Sequence, residues 1–389
     1  MPFALPRHAE LWLPGYVRSR IEAARARRRH RGVVDILFAV ADHYEPLHGG
    51  ASLDTGLARV DRWVGQYAAM ASSFIDADGR HPQHTFFFPI EQYRPELLGR
   101  LAGLCGRGFG EVEVHLHHDN DTAENLRGEL TGFIRTLNDR HGLLPRDASG
   151  RIRYGFIHGN WALDNSLPDG RWCGVSGELA ILHGTGCYAD FTLPSAPSPA
   201  QTGIVNRIYY ARVTAEGPRA HARGERAAAG RTPSPDGLLL VQGPLALSWR
   251  QAKWGVVPRV DNGSLHAGHP PTTGRMADWI SCGVSVAGRP EWVFVKVYTH
   301  GAPERNADTL LGPSTEAFHR EALAAFNDGT RYRMHYVTTR EMANIIHAAE
   351  DGRTGNPGQY RDYVLPPPAI VQEQAPTIRA SGPGIAAAK

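Results

Sequence analysis

Aspartate and histidine residues stand at the ends of several apolar runs in this 389-residue chain. They are Asp42-His43, His115 to His118, His158, Asp190 and His300. Histidine is the commonest metal ligand in proteins and a usual acid or base near neutral pH. In parallel α/β folds the carboxyl ends of the strands gather at one face, where ligands bind. The sequence therefore predicts a metal-dependent active site assembled from several strand ends.

The strongest local pattern is the segment 111–121, which reads EVEVHLHHDND. Side chains alternate along a strand, so its apolar residues share one face while His115 and His117 share the other. Two imidazoles on one strand face form a natural chelate for zinc or a similar divalent ion. His118 and Asp121 lie just beyond the predicted strand end and are further candidate ligands.

Four residues are candidates for catalysis. Asp42 directly follows an apolar strand and is expected either to bind the metal or to act as general base. His43 is adjacent to it. His300 ends a long apolar strand, where an imidazole could protonate a leaving group, and Asp190 could orient an imidazole and fix its tautomer.

A third group follows the predicted fourth strand and is expected to line the substrate site. It consists of His158, Asn160 and Trp161. A tryptophan suits stacking on the face of a sugar, although the same residue type is equally common in protein cores.

Apolar β-branched runs alternate with segments of helical spacing, which indicates β/α units and a parallel sheet. The predicted strands are 33–40, 85–88, 112–117, 154–158, 188–192, 238–241, 292–300 and 332–337. The predicted helices are 54–75, 94–105, 122–141, 176–184, 314–327 and 339–350. We expect a basic lead-in over 1–31, one catalytic unit over 32–350 with an insertion at about 194–237, and a disordered tail over 366–389.

The order of these motifs resembles the polysaccharide deacetylases, the NodB-like carbohydrate esterases, over roughly residues 33–345. Asp42 stands where that family has an Asp-Asp motif, and the segment 115–121 stands at its His-x-x-x-His metal motif. Tyr188-Ala189-Asp190-Phe191 resembles the late Asp motif, and Tyr298-Thr299-His300 resembles the Leu-x-His motif. The resemblance implies a distorted β/α barrel of the glycoside hydrolase and deacetylase type. The chain departs from the family in having a single Asp at the first motif and Asp121 in place of the second His.

The resemblance implies a metal-dependent hydrolase that removes an N- or O-linked acetyl group from a sugar or polysaccharide. Zinc is the favoured ion, and an acetylated sugar is the expected partner. A glycoside hydrolase on a related barrel is an alternative, with its carboxylates drawn from Asp42, Glu45 and Asp190. A non-catalytic glycan-binding module in polysaccharide biosynthesis is another, because the second Asp is missing.

Composition and charge narrow the classes of protein to which this chain could belong. The net charge of +3 is too small to predict nucleic-acid binding, and the apolar and charged fractions are typical of a globular protein. The four cysteines form no CxxC pair, which suits free thiols in a reducing compartment. No apolar run reaches the length of a membrane span, and no apolar signal core is present near residue 1. We therefore expect a cytoplasmic protein without a transmembrane segment.

Overall fold

The computed structural model describes residues 5–214 and 217–370. Within them the strands are β1 (Val34–His43), β2 (His84–Pro89), β3 (Gly110–Leu116), β4 (Tyr154–His158), β5 (Cys187–Asp190), β6 (Ile208–Arg212), β7 (Glu225–Arg226), β8 (Gly237–Val241), β9 (Ala246–Lys253), β10 (Val257–Asp261), β11 (Ser264–Leu265), β12 (Trp292–Thr299) and β13 (Tyr332–Tyr336). Each of the strands predicted from the sequence is confirmed in position, with ends that shift by a few residues.

The helices in the same residues are α1 (Ala9–Arg29), α2 (Leu53–Ala71), α3 (Pro95–Cys105), α4 (Ala123–His141), α5 (Glu178–Thr185), α6 (Thr273–Cys282), α7 (Glu304–Leu310), α8 (Pro313–Phe326) and α9 (Thr339–Glu350). Local sequence explains their ends. Thr122 caps α4 by accepting a hydrogen bond from the Asn125 amide, and Gly142 ends the helix with a φ of 64°. None of the described helices is both long and apolar enough to cross a membrane.

The protein is a mixed α/β fold with one large, mostly parallel sheet. Its strand order is β11-β12-β1-β2-β3-β4-β5-β8-β6-β7, with β13 also paired to β1. The pairs that involve β6 are antiparallel, and β9 and β10 form a separate antiparallel pair. The predicted insertion at about 194–237 contains β6 and β7. The lead-in at 1–31 contains α1, and the predicted tail lies outside the described residues from residue 371 onward.

Backbone hydrogen bonds also link the segment 284–287 to strands near both ends of this sheet. The amide of Phe294, in β12, donates to the carbonyl of Val284. The amide of Ala287 donates to the carbonyl of Ala227, just beyond β7, and its carbonyl accepts from the Ala229 amide. This short segment therefore connects the region of β12 with the region of β7.

The two faces of the sheet pack into different hydrophobic clusters, and this decides where polar side chains point. Ile36 and Phe38 of β1 belong to the cluster that contains the buried residues of α2, α3 and α4. Leu37, Ala39 and Ala41 belong to the opposite cluster, which also contains residues of α9. By strand alternation, Asp42 follows the first set and His43 follows the second.

Candidate metal centre

Three imidazoles surround one carboxylate oxygen at the carboxyl ends of the strands. Oε1 of Glu45 lies 3.5 Å from Nε2 of His115, 3.6 Å from Nε2 of His117 and 3.8 Å from Nε2 of His300. His43 packs against this set, with its ring centroid 4.7 Å from that of His115 and 4.6 Å from that of His300. We call these five residues the Glu45 cluster.

Hydrogen bonds fix the orientation of two of these imidazoles. Nδ1 of His115 lies 3.0 Å from the carbonyl oxygen of Ile157, and Nδ1 of His117 lies 2.6 Å from Oε1 of Glu91. Because only a protonated nitrogen can donate to these oxygens, each Nε2 atom keeps its lone pair toward Glu45. Nε2 of His115 is buried and has no hydrogen-bond partner. Metal-ligating histidines are oriented in this way by their other ring nitrogen.

Burial and charge shape the titration of the cluster. Burial alone would raise the pKa of Glu45, but the close approach of His115 and the charges of His300 and His117 lower that pKa to about 2. Burial, together with the charges of His300 and His115, holds the pKa of His43 well below its usual value. Near neutral pH the cluster therefore presents a carboxylate beside a neutral His43.

The cluster is open on one side. The side chains of His117 and His300 are 28% and 34% exposed, whereas His115 is fully buried. The ring of Trp161 lies beside this opening, 5.1 Å from the His43 ring and 4.8 Å from the Tyr298 ring. A site with buried ligands and an accessible face suits a catalytic metal, which keeps a coordination position for water or substrate.

Asp42 faces away from these imidazoles. Its Oδ2 atom lies 2.8 Å from Nε2 of His84, and its Oδ1 atom accepts a 2.7 Å hydrogen bond from the amide of Gly301. A Cβ on Gly301 would lie 2.7 Å from Trp63, so only glycine fits at this turn. Asp42 therefore holds the backbone directly after His300, and Glu45 is the carboxylate that the structure brings to the imidazoles.

Asp190 does not contact an imidazole directly. It accepts hydrogen bonds from the amide and the hydroxyl of Thr192, and the same hydroxyl oxygen accepts a bond from the backbone amide of His158. Burial raises the pKa of Asp190 to about 7, although the Thr192 bonds oppose that shift. Asp190 thus supports the backbone at the end of β4.

The predicted ligands His118 and Asp121 belong to a separate group of side chains. Nδ1 of His118 lies 2.9 Å from Oδ2 of Asp121, and its Nε2 atom points toward His158 and Glu178. His118, His158, Cys173 and Glu178 form a second set whose ligand atoms lie within 4.8 Å of one another. The predicted substrate residue His158 is thus part of this second set, and the Asn160 amide contacts its Nδ1 atom.

Sequence reasoning did not single out several residues that complete these sites. Glu91 follows the end of β2 by two residues, so the strand-end pattern that found the histidines would also have indicated it. Tyr298 lies two residues before His300 and shares its face of the strand. Cys173 comes from a long connection without a regular pattern, and Glu178 is the first residue of α5, so neither showed the strand-end signal.

A third group, Asp76, Asp78 and His335, also brings possible metal ligands together. Here the charges are already paired. His335 lies between Asp78 and Asp35 at 2.8 and 3.0 Å, and Arg361 bonds to both Asp76 and Asp78. This group is therefore a satisfied ion-pair network.

Comparison with models of known protein families and with curated proteins gave no match for this chain.

Proposed function

We propose that this protein is a metal-dependent hydrolase that removes an acetyl group from a sugar or polysaccharide. The observation that carries the proposal is the arrangement of three imidazole Nε2 atoms at 3.5–3.8 Å from Oε1 of Glu45. Ligand atoms on a tetrahedral zinc ion, each about 2.0–2.1 Å from the metal, lie about 3.3 Å apart. The distances to Glu45 are slightly longer than that spacing, and the ligand atoms of His43, Glu45 and His115 all lie within 4.8 Å of one another.

Glu45, His115 and His117 would hold the ion. The nitrogen and oxygen donors suit zinc best among the common divalent ions, and nickel, cobalt and manganese remain compatible. The unpartnered, buried Nε2 atom of His115 supports this assignment, because a buried nitrogen without a partner is unfavourable unless something binds it. When bound, the ion would polarise the acyl carbonyl and lower the pKa of a water molecule.

The remaining residues of the site supply proton transfer and binding. His43 faces the ligand set, and its unpaired Nδ1 atom can take a proton from the attacking water. His300, at the exposed rim, donates a proton to the departing amine or alcohol. Asp42 positions His300 by holding the amide of Gly301. Trp161 offers an aromatic face beside the opening on which a sugar ring can stack.

The fold that we propose for this site is the distorted β/α barrel of the deacetylases. The hydrogen bonds from the segment 284–287 to Phe294 on one side, and to Ala227 and Ala229 on the other, support closure of the sheet. Closure would direct His43, His115 and His117 toward a common interior. The order of the motifs along the chain, which resembles that of the deacetylase family, supports the same assignment.

The carboxylates favour acyl hydrolysis over glycoside hydrolysis. A glycosidase requires two carboxyl groups across the scissile bond. Asp42 is bonded to His84 and Gly301, and Asp190 is bonded to Thr192, so neither faces the imidazoles of the Glu45 cluster. Glu45 lies at the centre of these imidazoles, and the other carboxylate beside them, Glu91, is bonded to Nδ1 of His117.

The test is hydrolysis of acetylated sugars by the purified protein after metal removal and reconstitution with zinc. We expect release of free acetate that a chelator abolishes and zinc restores, without a new reducing end. His117→Ala should lose the ion of the Glu45 cluster and the activity, whereas His30→Ala, which lies outside the cluster, should keep both. Acetate release that survives chelation, or a His117→Ala protein with normal metal content, would contradict the proposal.

A further inference from the structure

The second set of possible ligands, which we call the His118 cluster, consists of His118, His158, Cys173 and Glu178. Nε2 of His118 lies 3.0 Å from Nε2 of His158 and 3.3 Å from Oε1 of Glu178. Nε2 of His158 lies 3.9 Å from the same oxygen, and the Cys173 sulfur lies 3.7 Å from Oε2 of Glu178. His158, Cys173 and Glu178 are completely buried.

One polar atom of this cluster has no hydrogen-bond partner among the protein groups that the structure describes. Oε1 of Glu178 is buried and has no hydrogen-bond partner, and the nearer of its imidazole contacts is the 3.3 Å approach of Nε2 of His118, at ion-pairing distance. The Asp121 carboxylate binds Nδ1 of His118, which directs the lone pair of Nε2 into the cluster. A buried carboxylate oxygen without a donor is costly, and a cation is the simplest group that satisfies it together with the facing imidazoles.

We propose that His118, His158, Cys173 and Glu178 bind a structural zinc ion, distinct from the ion of the Glu45 cluster. Zinc bonds of about 2.0–2.3 Å in a tetrahedron place ligand atoms about 3.3–3.7 Å apart, which is close to the spacing observed here. A thiolate beside two imidazoles selects zinc over calcium or magnesium. Four protein ligands, three of them completely buried, are typical of a structural zinc site rather than a catalytic one.

Backbone contacts between the segments 119–121 and 172–174 hold Cys173 near His118. The amide of Asp121 donates a 3.0 Å hydrogen bond to the carbonyl of Cys173. Gly174, with a φ of +90°, passes so close that a Cβ there would lie 2.6 Å from the Asp121 amide nitrogen. Asp119 also accepts a hydrogen bond from the Trp172 amide. These contacts fix the loop against the end of β3.

The ion would link the long connection between β4 and α5 to the ends of β3 and β4. Residues 159–177 contain no helix or strand, and long irregular connections of this kind are usually functional. Cys173 lies near the end of this connection and Glu178 begins α5, whereas His118 follows β3 and His158 ends β4. The same connection carries Trp161, which lies against His43 in the Glu45 cluster. A structural ion would thereby stabilise one wall of the active site.

His158 differs from the other ligands in one respect. Its Nδ1 atom accepts a hydrogen bond from the Asn160 amide at 3.2 Å, so ligation through Nε2 requires the proton to occupy Nδ1 and this contact to open. We therefore expect His158→Ala to weaken binding less than Cys173→Ser does.

The experiment is replacement of zinc by cobalt in the full chain, followed by absorption spectroscopy and elemental analysis. Wild-type protein should show the thiolate-to-cobalt charge-transfer band. Cys173→Ser should lose that band and one zinc ion per chain, whereas Cys105→Ser, a buried thiol in α3, should keep both. His117→Ala should keep the band, because it belongs to the other cluster.

Absence of the band in fully reconstituted wild-type protein, or its persistence in Cys173→Ser, would overturn the proposal. The wild-type measurement decides the matter even if the variant fails to fold. The result is also independent of hydrolysis: a protein without deacetylase activity would still show the band if the His118 cluster binds metal. Conversely, an active enzyme without the band would leave the proposed function intact.

Discussion

Gly159 provides a sharp test of the Glu45 cluster because it does not bind the metal itself. It follows the end of β4, and the ring of His117 lies directly over it. A Cβ at residue 159 would lie 2.6 Å from Cγ and 2.7 Å from Nε2 of that imidazole. Ordinary van der Waals contact begins at 3.4 Å. Gly159→Ala must therefore displace the His117 ring.

The size of the displacement sets the expected effect. Cδ2 is the nearest ring atom and would lie closer to the new Cβ than Cγ does, so restoring contact at 3.4 Å moves the ring by about 1 Å, whereas metal–ligand distances tolerate deviations of about 0.2 Å. Disturbing the support of a ligand lowers metal affinity by about 10- to 100-fold. A misplacement of about 1 Å in the catalytic apparatus costs about 100-fold in rate. We expect losses of this size in zinc affinity and in kcat/KM.

Zinc affinity measured by competition with a chromophoric chelator, together with the rate of acetate release, would check this expectation. Gly132→Ala is the matched control, since a Cβ there meets nothing within 4 Å and should stabilise α4 by about 0.5–1 kcal/mol. Normal zinc affinity and normal turnover in Gly159→Ala would refute the placement of His117 in the metal site.

Three further outcomes follow from the same contacts. Glu91→Gln weakens the bond that orients His117, so titration should show zinc affinity lower by about 10-fold. His300→Ala should keep its zinc by elemental analysis but lose about 100-fold or more in kcat, because a general acid is removed. Burial lowers the pKa of His335, but the hydrogen bonds to its two aspartate partners outweigh burial and raise it. The stability that His335 contributes is therefore complete below about pH 6 and is lost as pH rises through the folded-state value. In denaturant titrations His335→Gln should cost about 1–3 kcal/mol near pH 6 and less near pH 9.

The strand and helix pattern could be read from the sequence because its causes are local. Alternation in β3 correctly placed His115 and His117 on the face opposite Val112 and Val114. The same reasoning assigned the metal-binding or base role to Asp42, whereas the structure directs His43 toward the imidazoles. Because β1 is apolar on both faces, strand alternation alone could not identify the interior face. Packing of Ile36 and Phe38 against the helices settled that choice in the structure.

The division of the histidines between two clusters depends on where β3 ends. The regular strand stops at Leu116, and His118 turns toward Asp121 and the loop before α5 instead of continuing the alternation. Cys173 reaches His118 from a connection with irregular backbone, and Glu178 from the start of the helix that follows it, so no periodic pattern could have linked them to β3 in advance. Two neighbouring histidines, His117 and His118, thus serve different clusters. A substitution at His118 should consequently disturb the connection that carries Trp161 before it disturbs the proposed metal ligands in the Glu45 cluster.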